Sequence, residues 1–136
     1  MENFYIEKKI YYHDTDLAGI VYYANYLKYM EEARTEYFSA KGIDFKKLFE
    51  EEGIQFLVMR VEIDYKAPAR YRDVIRIFTE IESVKFSVIK LFQKITKDNI
   101  TLAEARSTFV CVGRNLKPIS IPEEIQESLT NQKFNS

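Results

Sequence analysis

The run IVYYANYLKYMEEARTEYFSAKG, residues 20–42, decides the fold predicted for this chain. From about Tyr26 its apolar side chains recur every three to four residues, which places them on one face of an α-helix. Asn25 precedes this pattern as an N-cap would, and Gly42 follows it where a glycine lets the chain leave a helix through positive φ. Because further tyrosines and an alanine widen the apolar face, the sequence predicts a long helix that other elements surround.

Strand patterns lie on both sides of this helix. In residues 59–66, apolar and polar side chains alternate without exception, which predicts one buried face and one solvent-facing face. Pro68 ends this strand because proline has no N–H to donate to a sheet. The Lys-Asp-Asn run at residues 97–99 predicts the turn of a hairpin. The strands predicted in full are residues 4–13, 59–66, 74–84, 86–96 and 101–112.

Two short helices complete the predicted elements, over residues 44–52 and 123–129. Asp44 is expected to cap the first of them and Gly53 to close it. One long helix followed by a run of strands indicates the α+β class, built on an antiparallel sheet. The wide apolar face of the long helix implies that this sheet curls around it.

Composition and charge exclude several classes of protein. With 136 residues, 46% of them hydrophobic, residues 1–136 are predicted to form a single domain whose tail frays from about residue 130. The 20 basic and 21 acidic side chains leave a net charge of −1, so no general field attracts nucleic acid or anionic lipid. The longest nearly uncharged stretch, residues 17–27, is shorter than the ~20 apolar residues of a membrane span. A single cysteine and the lack of a signal-peptide pattern predict a cytoplasmic protein.

The side chains suited to chemistry concentrate in the run HDTDLAG, residues 13–19. Asp14 and Asp16 lie between a predicted strand and the N-terminus of the long helix, whose free N–H groups and positive end favour negative charge. There a carboxylate can act as acid or base while N–H groups hold an oxyanion, although two aspartates after a strand can equally be turn formers. The glycines are too scattered for a phosphate loop, and one His with one Cys is too few for the common zinc sites.

Residues 11–38, YYHDTDLAGIVYYANYLKYMEEARTEYF, resemble the signature of the 4-hydroxybenzoyl-CoA thioesterase family, most of all its Tol–Pal-associated acyl-CoA thioesterase subgroup. Residues 61–81, VEIDYKAPARYRDVIRIFTEI, and 109–122, FVCVGRNLKPISIP, fit the same subgroup. The resemblance implies the hot-dog fold, an antiparallel sheet wrapped around one long helix. It also implies hydrolysis of an acyl-CoA to a free carboxylic acid and coenzyme A, with no metal and no cofactor besides the coenzyme A of the substrate.

The resemblance assigns the family's roles to particular residues. By this resemblance Asp16 is the catalytic carboxylate, acting as a nucleophile or as a general base towards water. Residues 19–23 match the loop at the start of the long helix whose backbone N–H polarises the thioester carbonyl, with Tyr23 at the donor position. The candidate substrate contacts are Gly19, Ile20, Val21, Tyr22 and Tyr26. Asp14 is a candidate support of the loop, and His13 either supports the loop or is a histidine that only ends the strand.

Two positions depart from the subgroup that the chain resembles, and one of them is His13, which stands where that subgroup often has an acid. Tyr23 stands where the Tol–Pal-associated enzymes commonly have a histidine, whereas the 4-hydroxybenzoyl-CoA thioesterases have a tyrosine there. The sequence therefore leaves the acyl group open between aliphatic and aromatic. The cations Lys66, Arg70 and Arg72 either meet the phosphates of coenzyme A or belong to a solvated loop.

The resemblance also bears on partners. Related hot-dog proteins assemble as dimers or tetramers with active sites at the subunit interface, so a homodimer or homotetramer is expected. Two alternatives to the thioesterase stay open: an acyl-thioester hydratase or dehydratase on the same fold, and a non-catalytic protein that binds acyl-CoA or an acyl carrier. The hydratases pair an aspartate with a histidine in a motif unlike DTDLAGIVYY, residues 14–23.

Overall fold

One long helix follows the first strand and precedes four consecutive strands, as the sequence predicts. The computed structural model describes residues 4–131. None of the helices in this range is long and apolar enough to cross a membrane. The α+β class is confirmed. The elements are β1 (Tyr5–Lys9), a 3₁₀ turn (Tyr12–Asp14), α1 (Asn25–Ala40), α2 (Phe45–Glu52), β2 (Gln55–Tyr65), β3 (Val74–Lys85), β4 (Val88–Lys97), β5 (Ile100–Val112) and α3 (Glu123–Thr130).

The strands form a five-stranded sheet in the order β1-β3-β4-β5-β2. β1 runs antiparallel to β3, with Tyr5 opposite Phe78. Two-residue connections join β3 to β4 and β4 to β5, and connections this short require antiparallel neighbours. In the second connection Asp98 and Asn99 have φ of 48° and 67°, which suits a tight hairpin and confirms the predicted turn. The long strand β2 is left at the edge of the sheet.

The described residues divide into two compact units, and the first of them is built around the inner face of α1. That face packs with apolar side chains of β3, β4 and β5, so the helix periodicity is confirmed as a buried face. Each large apolar side chain buried in this way contributes roughly 1.5–3 kcal/mol. The buried cluster includes Tyr26, Tyr29, Met30 and Ala33 of α1 and Ile75, Ile77, Ile95, Leu102 and Ala103 of the strands. The unit consists of the described residues up to Tyr37 with Ile63–Glu80 and Gln93–Ala105.

Both predicted short helices are present, and both belong to the second unit. The carboxylate of Asp44 accepts a backbone N–H of the first turn of α2 at 3.1 Å, and Gly53 closes this helix at φ 69°. The ring of Phe45 meets Phe38 and Phe56 edge-on at centroid distances of 5.0 and 5.9 Å. A single domain over residues 1–136 stays a prediction. This unit consists of Phe38–Glu62, Ile81–Phe92 and the described residues from Arg106 onward.

The first strand is shorter than predicted, because β1 ends at Lys9 and not at residue 13. Ile10 still donates its N–H to the carbonyl of Asp73 at 2.8 Å. After it, the carboxylate of Asp14 accepts the N–H of Tyr11 at 2.8 Å, so a donor that a longer strand would give to the sheet is satisfied locally. The prediction of a strand up to residue 13 is therefore wrong in its last part, where the chain forms the 3₁₀ turn.

The apolar face of β2 is open, contrary to prediction. Met59 is 64% exposed and Val61 is 39% exposed, although the alternation over residues 59–66 predicted a buried face. β2 also begins at Gln55, four residues before the predicted start. Alternation identifies which side chains share the apolar face of a strand, but not whether another part of the same chain covers that face. At the edge of this sheet, the described residues leave it uncovered.

The helix ends test three further predictions. Asn25 is the first residue of α1 and its side chain donates to another segment, so the prediction that it is the N-cap is wrong. Gly42 has φ 83°, which confirms that it takes the chain out of the helix in the left-handed region. α3 confirms the helix predicted over residues 123–129. The tail expected to fray from about residue 130 lies outside the described residues after Asn131.

Candidate active site

The loop that carries Asp16 is a tight reversal. The N–H of Asp16 donates to the carbonyl of Ile20 at 2.9 Å, and the N–H of Gly19 donates back to the carbonyl of Asp16 at 3.0 Å. Gly19 has φ 77°, a conformation that costs glycine little and other residues more. The reversal places Thr15 and Val21 opposite each other as an antiparallel bridge. The loop is thereby held back against the residues that lead into α1.

The carboxylate of Asp16 lies at the exposed end of this loop. Its Oδ1 accepts the N–H of Ala18 at 2.9 Å, so one oxygen is bonded within the loop while the side chain stays accessible to solvent. The donor to this carboxylate is thus Ala18, and not an amide of residues 19–23. Leu17, next to it, is fully exposed.

The backbone N–H of Tyr23 lies in the turn that leads into α1. The carbonyls of Tyr22, Tyr23 and Ala24 accept the N–H groups three residues further on, at 2.9 to 3.3 Å. Among residues 4–131, the N–H of Tyr23 itself has no hydrogen-bond acceptor. Such free N–H groups carry the positive end of the helix dipole and bind anionic or polarised oxygen atoms. A backbone N–H without an acceptor among the described residues therefore lies at the position where the sequence predicts an oxyanion donor.

A groove of about 310 Å³ opens beside this amide. Tyr26, 3% exposed, lies at its base, and the hydroxyl of Tyr26 accepts the N–H of Ala69 at 2.9 Å. The hydroxyl of Tyr65 donates to the carbonyl of Tyr23 at 3.2 Å, and the Tyr65 ring meets the Tyr26 ring edge-on at 5.4 Å. An apolar, aromatic wall with few polar atoms suits an acyl group. The lining residues are Ile20, Val21, Tyr23, Tyr26, Tyr65, Lys66, Ala67 and Pro68.

The phenols of this aromatic group stay protonated at neutral pH. Burial raises the pKa of Tyr26 and of Tyr65 above the usual value of 10.0. A hydrogen bond with Tyr23 raises the pKa of Tyr22. The tyrosines around the groove therefore present neutral hydroxyl groups and apolar ring faces to a bound molecule.

Asp14 is buried beneath the loop and connects three segments. Its carboxylate accepts the N–H of Tyr11 at 2.8 Å, and its carbonyl accepts the N–H of Tyr22 at 3.2 Å and the side-chain amide of Asn25 at 2.9 Å. His13 is exposed; its ring stacks on Tyr11 at 5.9 Å and its Nε2 lies 3.8 Å from Asp14. Asp14 thus holds the loop together through its hydrogen bonds, and His13 contacts only Tyr11 and Asp14 in the contacts described above.

The structure brings part of the predicted substrate-contacting set to the groove. Ile20, Val21, Tyr23 and Tyr26 line it, whereas Gly19 and Tyr22 belong to the adjoining loop and are not among the lining residues. Tyr65, Ala67 and Pro68 were not predicted as site residues. Pro68 could have indicated these residues. A proline ends a strand, and the side chains next to the point where the chain leaves the sheet are then available to line a groove.

The cations near the groove differ in their surroundings. Lys66 lines the groove and is exposed. The backbone N–H of Arg70 donates to the carboxylate of Asp73 at 2.8 Å, and Arg72 has φ 74°, so both belong to a tight turn with exposed side chains. All three guanidinium and ammonium groups are accessible to an anionic ligand.

Other reactive groups lie apart from this chemistry. Cys111 is fully buried, and burial raises the pKa of its thiol to about 11, so the thiol is protonated and inert at neutral pH. Within residues 4–131, no three His, Cys, Asp or Glu side chains come together as the ligands of a metal ion would.

Comparison with known proteins gives consistent similarities. Residues 11–129 match the model of the thioesterase-like superfamily. The chain is 33% identical to the acyl-CoA thioesterase YbgC of Haemophilus influenzae, over 92% of this chain and 93% of that protein. It is 31% identical to the 1,4-dihydroxy-2-naphthoyl-CoA hydrolase of Microcystis aeruginosa, over 90% of each. A crystal structure of a hypothetical protein of Aquifex aeolicus superposes with a TM-score of 0.87 at 30% identity, over 93% of this chain and 98% of that one.

Proposed function

This chain belongs to the thioesterase-like superfamily and is an acyl-CoA thioester hydrolase, and we propose that Asp16 and the backbone N–H of Tyr23 carry out the hydrolysis. Its fold is the hot-dog fold, an antiparallel sheet wrapped around one long helix. The observation that carries the proposal is the N–H of Tyr23, which has no acceptor among the described residues and borders the tyrosine-lined groove.

The N–H of Tyr23 holds the carbonyl oxygen of the thioester. When the carbonyl carbon becomes tetrahedral, negative charge develops on this oxygen at the positive end of α1. A preorganised donor of this kind is worth about 2.7–4 kcal/mol of transition-state stabilisation. The acyl group lies in the groove, against the rings of Tyr26 and Tyr65.

Asp16 activates the attacking group in one of two ways. As a general base it takes a proton from water while the water oxygen bonds to the carbonyl carbon; as a nucleophile its own oxygen bonds there first, and water then hydrolyses the mixed anhydride. In both routes the C–S bond breaks and coenzyme A leaves as a thiolate that then takes up a proton. Thiols are much more acidic than water or alcohols (the cysteine thiol has a pKa of about 8.5), so the thiolate leaves without a strong general acid. The exposed second oxygen of Asp16 supports either role.

In this proposal the active protein is a homodimer or homotetramer, and a second copy of the chain completes the site. Asp16 and the groove both lie on open surface, and β2 presents an unpaired edge with exposed apolar side chains on both faces. An edge strand of this kind pairs readily with another strand. The exposed apolar residues of β2 are Leu57, Val58, Met59, Val61 and Tyr65.

Lys66, Arg70 and Arg72 supply the phosphate contacts of coenzyme A in this proposal. Lys66 lines the groove, Arg70 forms a bridge with the lining residue Ile20, and all three side chains are exposed; Lys and Arg are the usual partners of phosphate. The proposal requires no cofactor beyond the coenzyme A of the substrate. A cytoplasmic location stays a prediction from the sequence.

The test measures three quantities for a panel of aliphatic and aromatic acyl-CoAs: the release of free thiol, the absorbance of the enoyl group and the binding of each acyl-CoA by calorimetry. Wild type should release thiol, and Asp16→Asn should lose at least about 10²-fold of that rate, the usual contribution of a general base. The matched control is Asp98→Asn, the same chemical change in an exposed turn whose left-handed φ asparagine accepts.

Each result of this test has one meaning. Thiol release that is lost in Asp16→Asn and kept in Asp98→Asn supports the proposal. Undiminished release in Asp16→Asn refutes the role of Asp16. A change in enoyl absorbance without thiol release would make the protein a hydratase, and binding without turnover would make it a carrier.

A further inference from the structure

We propose that Asn25 is a positioning residue, which holds the loop of Asp16 in register with the N–H of Tyr23 by donating its side-chain amide to the carbonyl of Asp14. This inference rests on the function proposed above. The Asn25 Nδ2 lies 2.9 Å from the Asp14 oxygen, eleven residues away in the chain.

The side chain of Asn25 makes a different bond from that of an N-cap. A capping side chain accepts, through its oxygen, an N–H of the second or third residue of the helix. Asn25 is instead the first residue of α1, and its side-chain bond is a donation from nitrogen to the preceding loop. The amide is thus used to join two segments and not to end the helix.

The carbonyl of Asp14 is the point where the two halves of the site meet. It accepts the N–H of Tyr22 at 3.2 Å in addition to the amide of Asn25. Asp16 lies two residues after this carbonyl, and Tyr23 is the neighbour of Tyr22 in the chain. The pair of bonds therefore determines the distance between the proposed carboxylate and the proposed oxyanion donor.

The side chain of Asp14 is enclosed from the helix side. The hydroxyl of Tyr29, on the inner face of α1, is buried and has no hydrogen-bond partner among the described residues. Burial raises the pKa of Tyr29, and the nearby carboxylate of Asp14 raises it further. The side chain of Asp14 is buried and bonded to the N–H of Tyr11, and the bond from Asn25 holds its backbone carbonyl as well.

A shift of about 1 Å in a catalytic group can cost 10²-fold in rate, because the reacting atoms lose their alignment. Asn25→Asp removes the donor and places a carboxylate oxygen against the carbonyl oxygen of Asp14. Asn25→Ser replaces the amide with a hydroxyl on a side chain too short to reach the carbonyl of Asp14. We expect kcat for thiol release to fall about 10- to 100-fold in both variants with KM changed by less than about threefold.

These variants separate positioning from capping. Asp and Ser cap helices about as well as Asn, so a capping role predicts wild-type kcat in both. The control for the added charge is Asn115→Asp: the Asn115 Oδ1 accepts the N–H of Lys117 at 3.1 Å, and a carboxylate keeps that bond. This control should retain wild-type kcat.

A second measurement does not depend on activity. Amide hydrogen exchange of Tyr22, whose N–H is bonded to Asp14, should accelerate at least about tenfold in both Asn25 variants of the full chain, because an open amide exchanges faster. The amide of Leu48, which is bonded to Asp44 in α2, should exchange as in wild type.

The outcomes distinguish this inference from the proposed function. Active wild type with unimpaired kcat and unchanged Tyr22 exchange in the Asn25 variants overturns the positioning role and leaves the thioesterase intact. Wild type that releases no thiol overturns the thioesterase and the positioning role with it. Loss of kcat together with faster Tyr22 exchange supports the inference.

Discussion

Gly19→Ala should destabilise the protein through backbone conformation alone. Gly19 has φ 77°, and a Cβ built on it would meet no atom within 4 Å, so the substitution causes no clash. An L-residue in the left-handed region costs about 1–2 kcal/mol, while alanine in place of glycine lowers the entropy of the unfolded chain and returns about 0.4–1 kcal/mol. The free energy of unfolding, measured by urea titration, should therefore fall by about 1 kcal/mol.

Two companion variants isolate the cause. Gly19→Asn should lose less than Gly19→Ala, because asparagine tolerates the left-handed region better than other residues. Gly53→Ala should lose more, because at a similar φ of 69° its Cβ would clash with the Cγ of Arg114 and that side chain must move. Equal losses for alanine and asparagine at residue 19 would refute the reasoning from φ.

The same substitution has a catalytic consequence. The N–H of Gly19 closes the reversal onto the carbonyl of Asp16 at 3.0 Å, so a strained residue 19 loosens the loop that presents the carboxylate. Thiol release by Gly19→Ala should show a lower kcat, and Gly19→Asn should recover part of it. A kcat that is unchanged while stability falls would show that the turn serves folding only.

Three further outcomes are expected. Tyr65→Phe removes the hydroxyl bonded to the Tyr23 carbonyl, so kcat/KM for thiol release should fall several-fold. The free energy of unfolding, measured by urea titration, should change by no more than about 0.5–1.5 kcal/mol. An unchanged kcat/KM would contradict this prediction. Burial raises the pKa of Tyr37 to about 12, so this phenol ionises first in the unfolded chain as pH rises. Its contribution to the free energy of unfolding should therefore be level below about pH 10 and decrease towards pH 12. Tyr37→Phe should lessen that fall, and an equally steep fall would exclude Tyr37 as its source. Met59→Glu, on the open face of β2, should shift the protein to monomer in light scattering, whereas Phe86→Glu in the exposed β3–β4 turn should not; an oligomer that survives Met59→Glu would refute pairing through β2.

The elements that the sequence predicts well are those whose signals are local. The three-to-four spacing after Tyr26 gives α1, Asp44 and Gly53 bound α2, and Asp98 with Asn99 turns the β4–β5 hairpin. Each signal acts over a few residues, through periodicity, capping or φ preference. The predictions fail where a local signal has a competitor, as when the Asp14 carboxylate takes the N–H of Tyr11 and ends the first strand early.

Half of the candidate site follows from one short segment and half does not. The motif around Asp16 and Tyr23 lies within eight residues, so its resemblance to a family suffices to point to both. Tyr65 and Pro68 reach the groove from a segment more than forty residues away, and nothing in their own neighbourhood indicates which helix they will meet.

The sequence alone determined the class of fold, the long apolar helix and the loop with its two aspartates. Periodicity, turn chemistry and a contiguous motif each depend on residues that are close together in the chain. Only the tertiary structure showed that the Asn25 side chain bonds to a loop and does not cap a helix. It also showed that the Tyr65 hydroxyl donates to the carbonyl of Tyr23, and that the apolar face of β2 is exposed at a sheet edge. These are contacts between distant segments, or the lack of one, and they depend on how the segments pack, which no single stretch of chain specifies.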